Sequence, residues 1–143
     1  MKKVIFGMFL FILWNSSVFA QLAQTETGLT VNVKILGINS ESGMAVVQLV
    51  DEKNKTIAYK GYKPDNSGEI TASFANLKPG RYAVRYFHDE NENKKLDRNE
   101  QNFPVEGYGF SNNVGVFGPP KFEELLFNVS DNTNIKISTV YHF

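Results

Sequence analysis

Phe74-Ala75-Asn76-Leu77-Lys78-Pro79-Gly80-Arg81-Tyr82-Ala83-Val84-Arg85-Tyr86-Phe87-His88 is the stretch whose reading decides the fold. A Pro-Gly pair separates two runs of alternating character. Ile70, Ala72 and Phe74 share one face before it, and Tyr82, Val84, Tyr86 and His88 share one face after it, with Ala83, Arg85, Phe87 and Asp89 opposite. A period of two is the strand pattern, because successive side chains leave a pleated ribbon on opposite sides. Proline presets φ for a turn and glycine permits a reversed conformation, while a tyrosine just beyond can bury its ring and bond its hydroxyl to backbone. The expectation is two strands joined by a tight corner, with Val84 in the core.

Working outward, the same grammar repeats. Leu29, Val31, Val33 and Ile35 alternate with Thr30, Asn32 and Lys34; residues 39–43 form a turn; residues 44–50 form a more continuously apolar strand; residues 51–55 turn again before a short strand at 57–62. Residues 64–68, Pro-Asp-Asn-Ser-Gly, are a strong turn signal. Towards the C-terminus, strands are expected at 125–129 and 135–141 with 130–134 as their hairpin turn, and the only helical candidate is a turn at 122–126. Many short strands at even spacing predict an all-β, roughly seven-stranded antiparallel sandwich, interrupted by one long irregular loop at 90–120. The Leu-x-Pro-Gly-x-Tyr core at 77–82 resembles the strand-to-strand corner of prealbumin-like sandwiches, which places the chain among prealbumin/immunoglobulin-like architectures.

The strand through His88 runs directly into an acidic segment. With Asp89 as position one, side-chain oxygens fall at three (Asn91), five (Asn93), nine (Asp97) and twelve (Glu100), and position seven, Lys95, has a backbone carbonyl to offer. That is the rhythm of a calcium-chelating loop, in which alternate side chains turn inward around a hard cation that takes six to eight oxygens. Position six, normally glycine because the loop turns sharply there, is Lys94. The competing reading is a solvated polar turn, in which Asn and Asp bond to local backbone while Lys94, Lys95 and Arg98 neutralise the carboxylates. Flanking helices of an EF-hand are excluded by the strand pattern before the loop and Pro104 after it.

At the N-terminus, Met1-Lys2-Lys3 precedes an apolar run at 4–14 and then small residues Val18 and Ala20. This reads as a secretory signal at residues 1–20 with cleavage before Gln21, too short to serve as a membrane span. It leaves a flexible polar lead at 21–28 and a single domain at 29–143, in a periplasmic or secreted protein with no membrane span after cleavage. Removing Lys2 and Lys3 leaves 13 basic residues against 15 acidic ones. That balance, without a basic stripe, excludes a nucleic-acid binder. There is no cysteine, so no disulfide stabilises the domain, and calcium would serve instead.

His88-Asp89-Glu90-Asn91-x-Asn93-x-x-Leu96-Asp97, then Pro104-x-Glu106-Gly107-Tyr108-Gly109-Phe110-Ser111-Asn112-Asn113, then Gly118-Pro119-Pro120-x-Phe122-Glu123, together resemble the bacterial secreted proteins grouped as domain of unknown function family 2141. The resemblance spans roughly residues 30–141. It implies a secreted β-rich domain and brings no established activity, and Lys94 stands where the family's loop often has glycine.

Catalytic patterns are thin. Gly109-Phe110-Ser111-Asn112-Asn113 lacks the second glycine of a nucleophile elbow, and neighbouring His88 and Asp89 point to opposite faces of a strand. His88 is expected to be structural, and His142 to lie at the surface. The aromatics Phe103, Tyr108, Phe110, Phe117 and Phe122 admit two readings: an exposed rim for a ligand, with Tyr108, Phe110, Asn112 and Phe117 as the binding candidates, or rings folded back to cap the sandwich, which solubility favours. The expectation is a non-catalytic binding or structural domain whose acidic loop is organised by calcium and whose partner is an extracytoplasmic protein or glycan. The alternative is a periplasmic glycan-directed enzyme using the loop carboxylates.

Overall fold

The structure, a computed structural model, describes residues 28–142. The expected signal peptide at 1–20 and nearly all of the lead at 21–28 lie outside the described residues. Eight strands follow in chain order: β1 (Leu29–Leu36), β2 (Met44–Asp51), β3 (Thr56–Tyr62), β4 (Glu69–Leu77), β5 (Gly80–Asp89), β6 (Tyr108–Phe110), β7 (Phe127–Val129) and β8 (Thr133–Ser138), with one helical turn, α1 (Phe122–Leu125), before β7. They form two sheets. One has the order β4-β1-β8; the other has the order β3-β2-β5-β6, with β7 also paired to β5.

The alternation read from sequence is the alternation that packs. Val31, Val33 and Ile35 of β1, Ile70, Ala72 and Phe74 of β4, and Tyr82, Val84 and Tyr86 of β5 are buried in one cluster with Ala45, Val47 and Leu49 of β2. Each strand of the sandwich therefore turns one face inward and leaves the other to solvent or to loops. The outer face of the second sheet is partly covered as well: Val50 and Ala83 pack with Leu125 of α1, and Phe110, Val114 and Phe122 close over them. This second, smaller core explains why β2 reads as continuously apolar rather than alternating.

The corner at 77–80 behaves as read in one respect and differs in another. The Tyr82 hydroxyl donates to the Lys78 carbonyl at 2.8 Å, fastening the reversal. Gly80, however, stays outside the left-handed region; the positive φ of this corner belongs to Asn76, at 60°. Asn tolerates that conformation because its short polar side chain can bond locally.

Two expectations are corrected, the first of them at the C-terminus. Residues 130–134 do not turn a hairpin: β7 pairs antiparallel with β5 of one sheet, whereas β8 crosses to the other sheet and pairs parallel with β1, Val33 opposite Ile135 and Ile35 opposite Ile137. The sandwich is thus mixed, with one parallel pair among otherwise antiparallel ones. Alternation reports which face of a strand is buried, and Val129 and Ile137 are both buried; it carries nothing about which sheet the strand joins. The segment at 90–120 is likewise less irregular than expected, since β6 lies within it and pairs with β5 through Tyr86 and Gly109. Gly109 is there because a Cβ would stand 2.5 Å from the Ile137 side chain.

Candidate functional site

β5 ends by carrying His88 and Asp89 into the acidic loop, and both are nearly inaccessible to solvent. Asp89 Oδ1 accepts from the Asn93 N–H at 3.0 Å and Oδ2 from the Lys94 N–H at 2.8 Å. Asn91 Oδ1 accepts from Asn93 N–H, and Asn93 Oδ1 from Lys95 N–H, two successive turns of the kind Asn side chains favour. The carboxamides of Asn91 and Asn93 then both donate to Asp97, at 2.6 and 2.8 Å. These donors, Asn93 foremost, hold the Asp97 carboxyl below its ordinary range, keeping it ionised. Position six does turn sharply: Lys94 has φ of 65°, and Glu92 two residues earlier has φ of 59°.

Asp89, Asn91, Asn93 and Asp97 are therefore gathered as the spacing predicted, with Lys95 in the same turn. Glu100 is not gathered with them. It sits exposed at the tip of a small hairpin where Arg98 bridges Pro104 and the Asn99 carboxamide oxygen accepts from the N–H groups of Gln101 and Phe103. The carboxylate that does join the loop is Glu106, only 5% exposed: Oε1 accepts from the Glu90 N–H at 3.0 Å and Oε2 from the Asp97 N–H at 2.9 Å, fastening both ends of the loop. Spacing from Asp89 could not reveal it, because Glu106 arrives on the returning segment, in a bend just before β6. Its signal was the Pro-x-Glu-Gly run at 104–107. Among the described residues no group of three or more His, Cys, Asp or Glu side chains converges as a metal site; the loop brings two carboxylates, Asp89 and Asp97, and two carboxamides. That donor set suits a hard cation bound weakly, by oxygen and with fewer charges than a tight calcium loop supplies.

Both histidines have structural engagements. His88 Nε2 lies 2.7 Å from the Ser42 carbonyl, and Nδ1 faces Glu90 at 3.6 Å and the Tyr141 hydroxyl at 3.5 Å. Gly43 beside this contact has φ of 68°, and a Cβ there would fall 1.9 Å from the Asp89 carbonyl, so the β1–β2 turn clamps directly onto the loop. His142 lies apart from His88, stacked on Tyr108 at 5.7 Å between centroids, with Nε2 2.7 Å from the Tyr108 hydroxyl.

The aromatic segment divides between the two readings. Tyr108 is buried at the ring, and its hydroxyl donates to the Gly115 carbonyl; Phe110 and Phe122 cover the second core. Phe117 is fully exposed and Phe103 is 55% exposed. Ser111-Asn112-Asn113 acts as a clamp. Ser111 Oγ accepts from Val84 N–H and donates to the Leu125 carbonyl. Asn112 donates to the Glu124 and Leu126 carbonyls, and Asn113 bonds Ser138 N–H and the Lys136 carbonyl on the edge of β8. Asn112, a binding candidate in the sequence, spends its amide on α1.

Between the Arg98–Pro104 hairpin and the exposed loop at 116–119 lies a cleft of about 890 Å³. Leu96, Arg98 and Phe103 form one wall, Val116 and Phe117 the other, and Tyr108, Phe110 and His142 line the space between. A second depression of about 270 Å³ continues from it over the outer face of the sheet toward Gln48 and Tyr59, sharing Leu96, Arg98, Tyr108 and Phe110. No helix among the described residues is long and apolar enough to cross a membrane.

The sequence model of domain of unknown function family 2141, described as "Uncharacterized protein conserved in bacteria", matches residues 33–138, well over half of the chain. No curated protein matches it.

Proposed function

The chain belongs to domain of unknown function family 2141, and from that premise and the geometry of the two loops we propose that it is a secreted, non-catalytic ligand-binding domain in which calcium orders the acidic loop and the loop in turn shapes the cleft. The observation that carries this reading is the continuity of the segment: Asp97 closes the acidic network, and Leu96 and Arg98 on either side of it line the cleft. A cation held by Asp89, Asn91, Asn93, the Lys95 carbonyl and Asp97 would tie down the base of that wall, and a preorganised wall binds at lower entropic cost. The carboxylates themselves suit structure better than chemistry. Each oxygen of Asp89 and of Glu106 already accepts one backbone N–H, and an Asp97 kept ionised is a poor proton donor.

Export follows from the basic, apolar and small-residue order of residues 1–20. Outside the cytoplasm the cleft would meet proteins and glycans, and both belong in a binding panel. The direct test is thermal: 10 mM calcium, against chelator, should raise the melting temperature by about 5 °C if the dissociation constant is about 1 mM. Asp97→Ala should abolish the increment. Coincident melting curves for the parent with and without calcium would remove the metal from this reading.

A further inference from the structure

The cleft has a chemical bias that its shape alone does not express. Among the described residues its lining contains no carboxylate, and neither does that of the depression running into it, although acidic and basic residues are equal in number over the whole chain. Arg98 stands where the two depressions meet, and among the described residues its guanidinium makes one hydrogen bond, Nη1 to the Asn102 carbonyl at 2.9 Å. Five N–H donors on a planar group leave several for a ligand, and Arg prefers planar anions that take two of them. His142, stacked on Tyr108, adds a second nitrogen-bearing side chain to the lining.

Around this cationic point the surface is apolar and open. Of the large hydrophobic side chains exposed among the described residues, Phe103, Val116 and Phe117 line the cleft, Tyr59 lines its extension, and Val105 follows Phe103 and Pro104 on the same hairpin. Exposed apolar groups gathered at one concave site mark binding surfaces rather than chance. Resting on the proposal that this cleft is the ligand site, we infer that it takes an amphiphilic carboxylate, a single apolar chain whose head group pairs with Arg98 and whose body lies against Phe103, Val116 and Phe117. A neutral glycan would leave the Arg98 donors without an anion, and a cationic amphiphile would face Arg98 with no carboxylate to meet it.

The experiment compares three probes that share an unbranched ten-carbon chain and differ in head group, decanoate, decanol and decyltrimethylammonium, below their micellar concentrations, against the isotope-labelled calcium-treated full chain by two-dimensional NMR and calorimetry. Decanoate should shift resonances of residues 96–104 and 115–119 and bind at least tenfold more tightly than decanol, with the ammonium weakest. Arg98→Gln should remove that tenfold preference while leaving decanol unchanged, Arg98→Lys should keep most of it, and Phe117→Ala should weaken decanoate and decanol alike. Equal binding of decanoate and decanol to the parent, or a preference untouched by Arg98→Gln, would overturn the carboxylate assignment and leave the cleft as a site for another ligand. Binding of a glycan or peptide from the panel in the cleft, with none of the three probes, would do the same. If neither probes nor panel move the cleft resonances, the binding reading falls with the inference.

Discussion

Lys94 holds a left-handed backbone that a side chain with a Cβ adopts at a cost, and it does so because Asp89 Oδ2 captures its N–H. Lys94→Gly should therefore stabilise the domain by about 0.5–1 kcal/mol, the relief of strain outweighing the freedom glycine gains when unfolded, as read by urea denaturation. A loss of stability would mean that the lysine side chain contributes something the backbone strain does not reveal. Asp97 makes a second prediction at this scale. Its folded pKa is depressed, so its contribution is present above the unfolded value and disappears as pH falls through the folded one. Stability should drop more steeply in the parent than in Asp97→Asn below about pH 4. Tyr82→Phe, losing the bond that fastens the corner, should cost about 1 kcal/mol.

At the level of elements, the Ser-Asn-Asn clamp does more than its three residues suggest, because it joins β5, α1 and β8. Ser111 is fully buried, and Ser111→Ala would strand the Val84 N–H and the Leu125 carbonyl. A cost of about 1–3 kcal/mol is expected in chemical denaturation. The aromatic loop should respond in two opposite ways: Phe110→Ala, which opens the second core, should cost roughly 2 kcal/mol, whereas Phe117→Ala should change stability by under about 0.5 kcal/mol. Comparable losses at both positions would show that Phe117 packs in solution.

For the molecule as a whole, the parallel pairing of β1 with β8 is the decisive contact. It brings together residues about a hundred positions apart in the chain, so it forms only after a costly loop closure and makes the domain one cooperative unit. A chain ended after Val129 should not fold as a trimmed sandwich: β1 would lose one partner strand, and Val33 and Ile35, fully buried now, would meet water. Circular dichroism and amide dispersion in NMR should report an unfolded chain; a native-like spectrum would show that β8 is an accessory strand.

Local alternation was enough to determine β1, β4 and β5, their buried faces and the Tyr82 corner, because the pleat has a period of two and each side chain's fate depends on its near neighbours; β6, three residues within the long loop, was too short to show it. The grouping of Asp89, Asn91, Asn93 and Asp97 was legible for the same reason: one tight loop of consecutive residues sets their spacing. Only the tertiary structure decided that β8 joins β1 rather than β7, that Glu106 and not Glu100 closes the acidic loop, and that Phe103 and Phe117 stand out while Phe110 turns in. Each of these depends on which distant segments meet, and apolar or acidic character is the same whichever partner a residue finds.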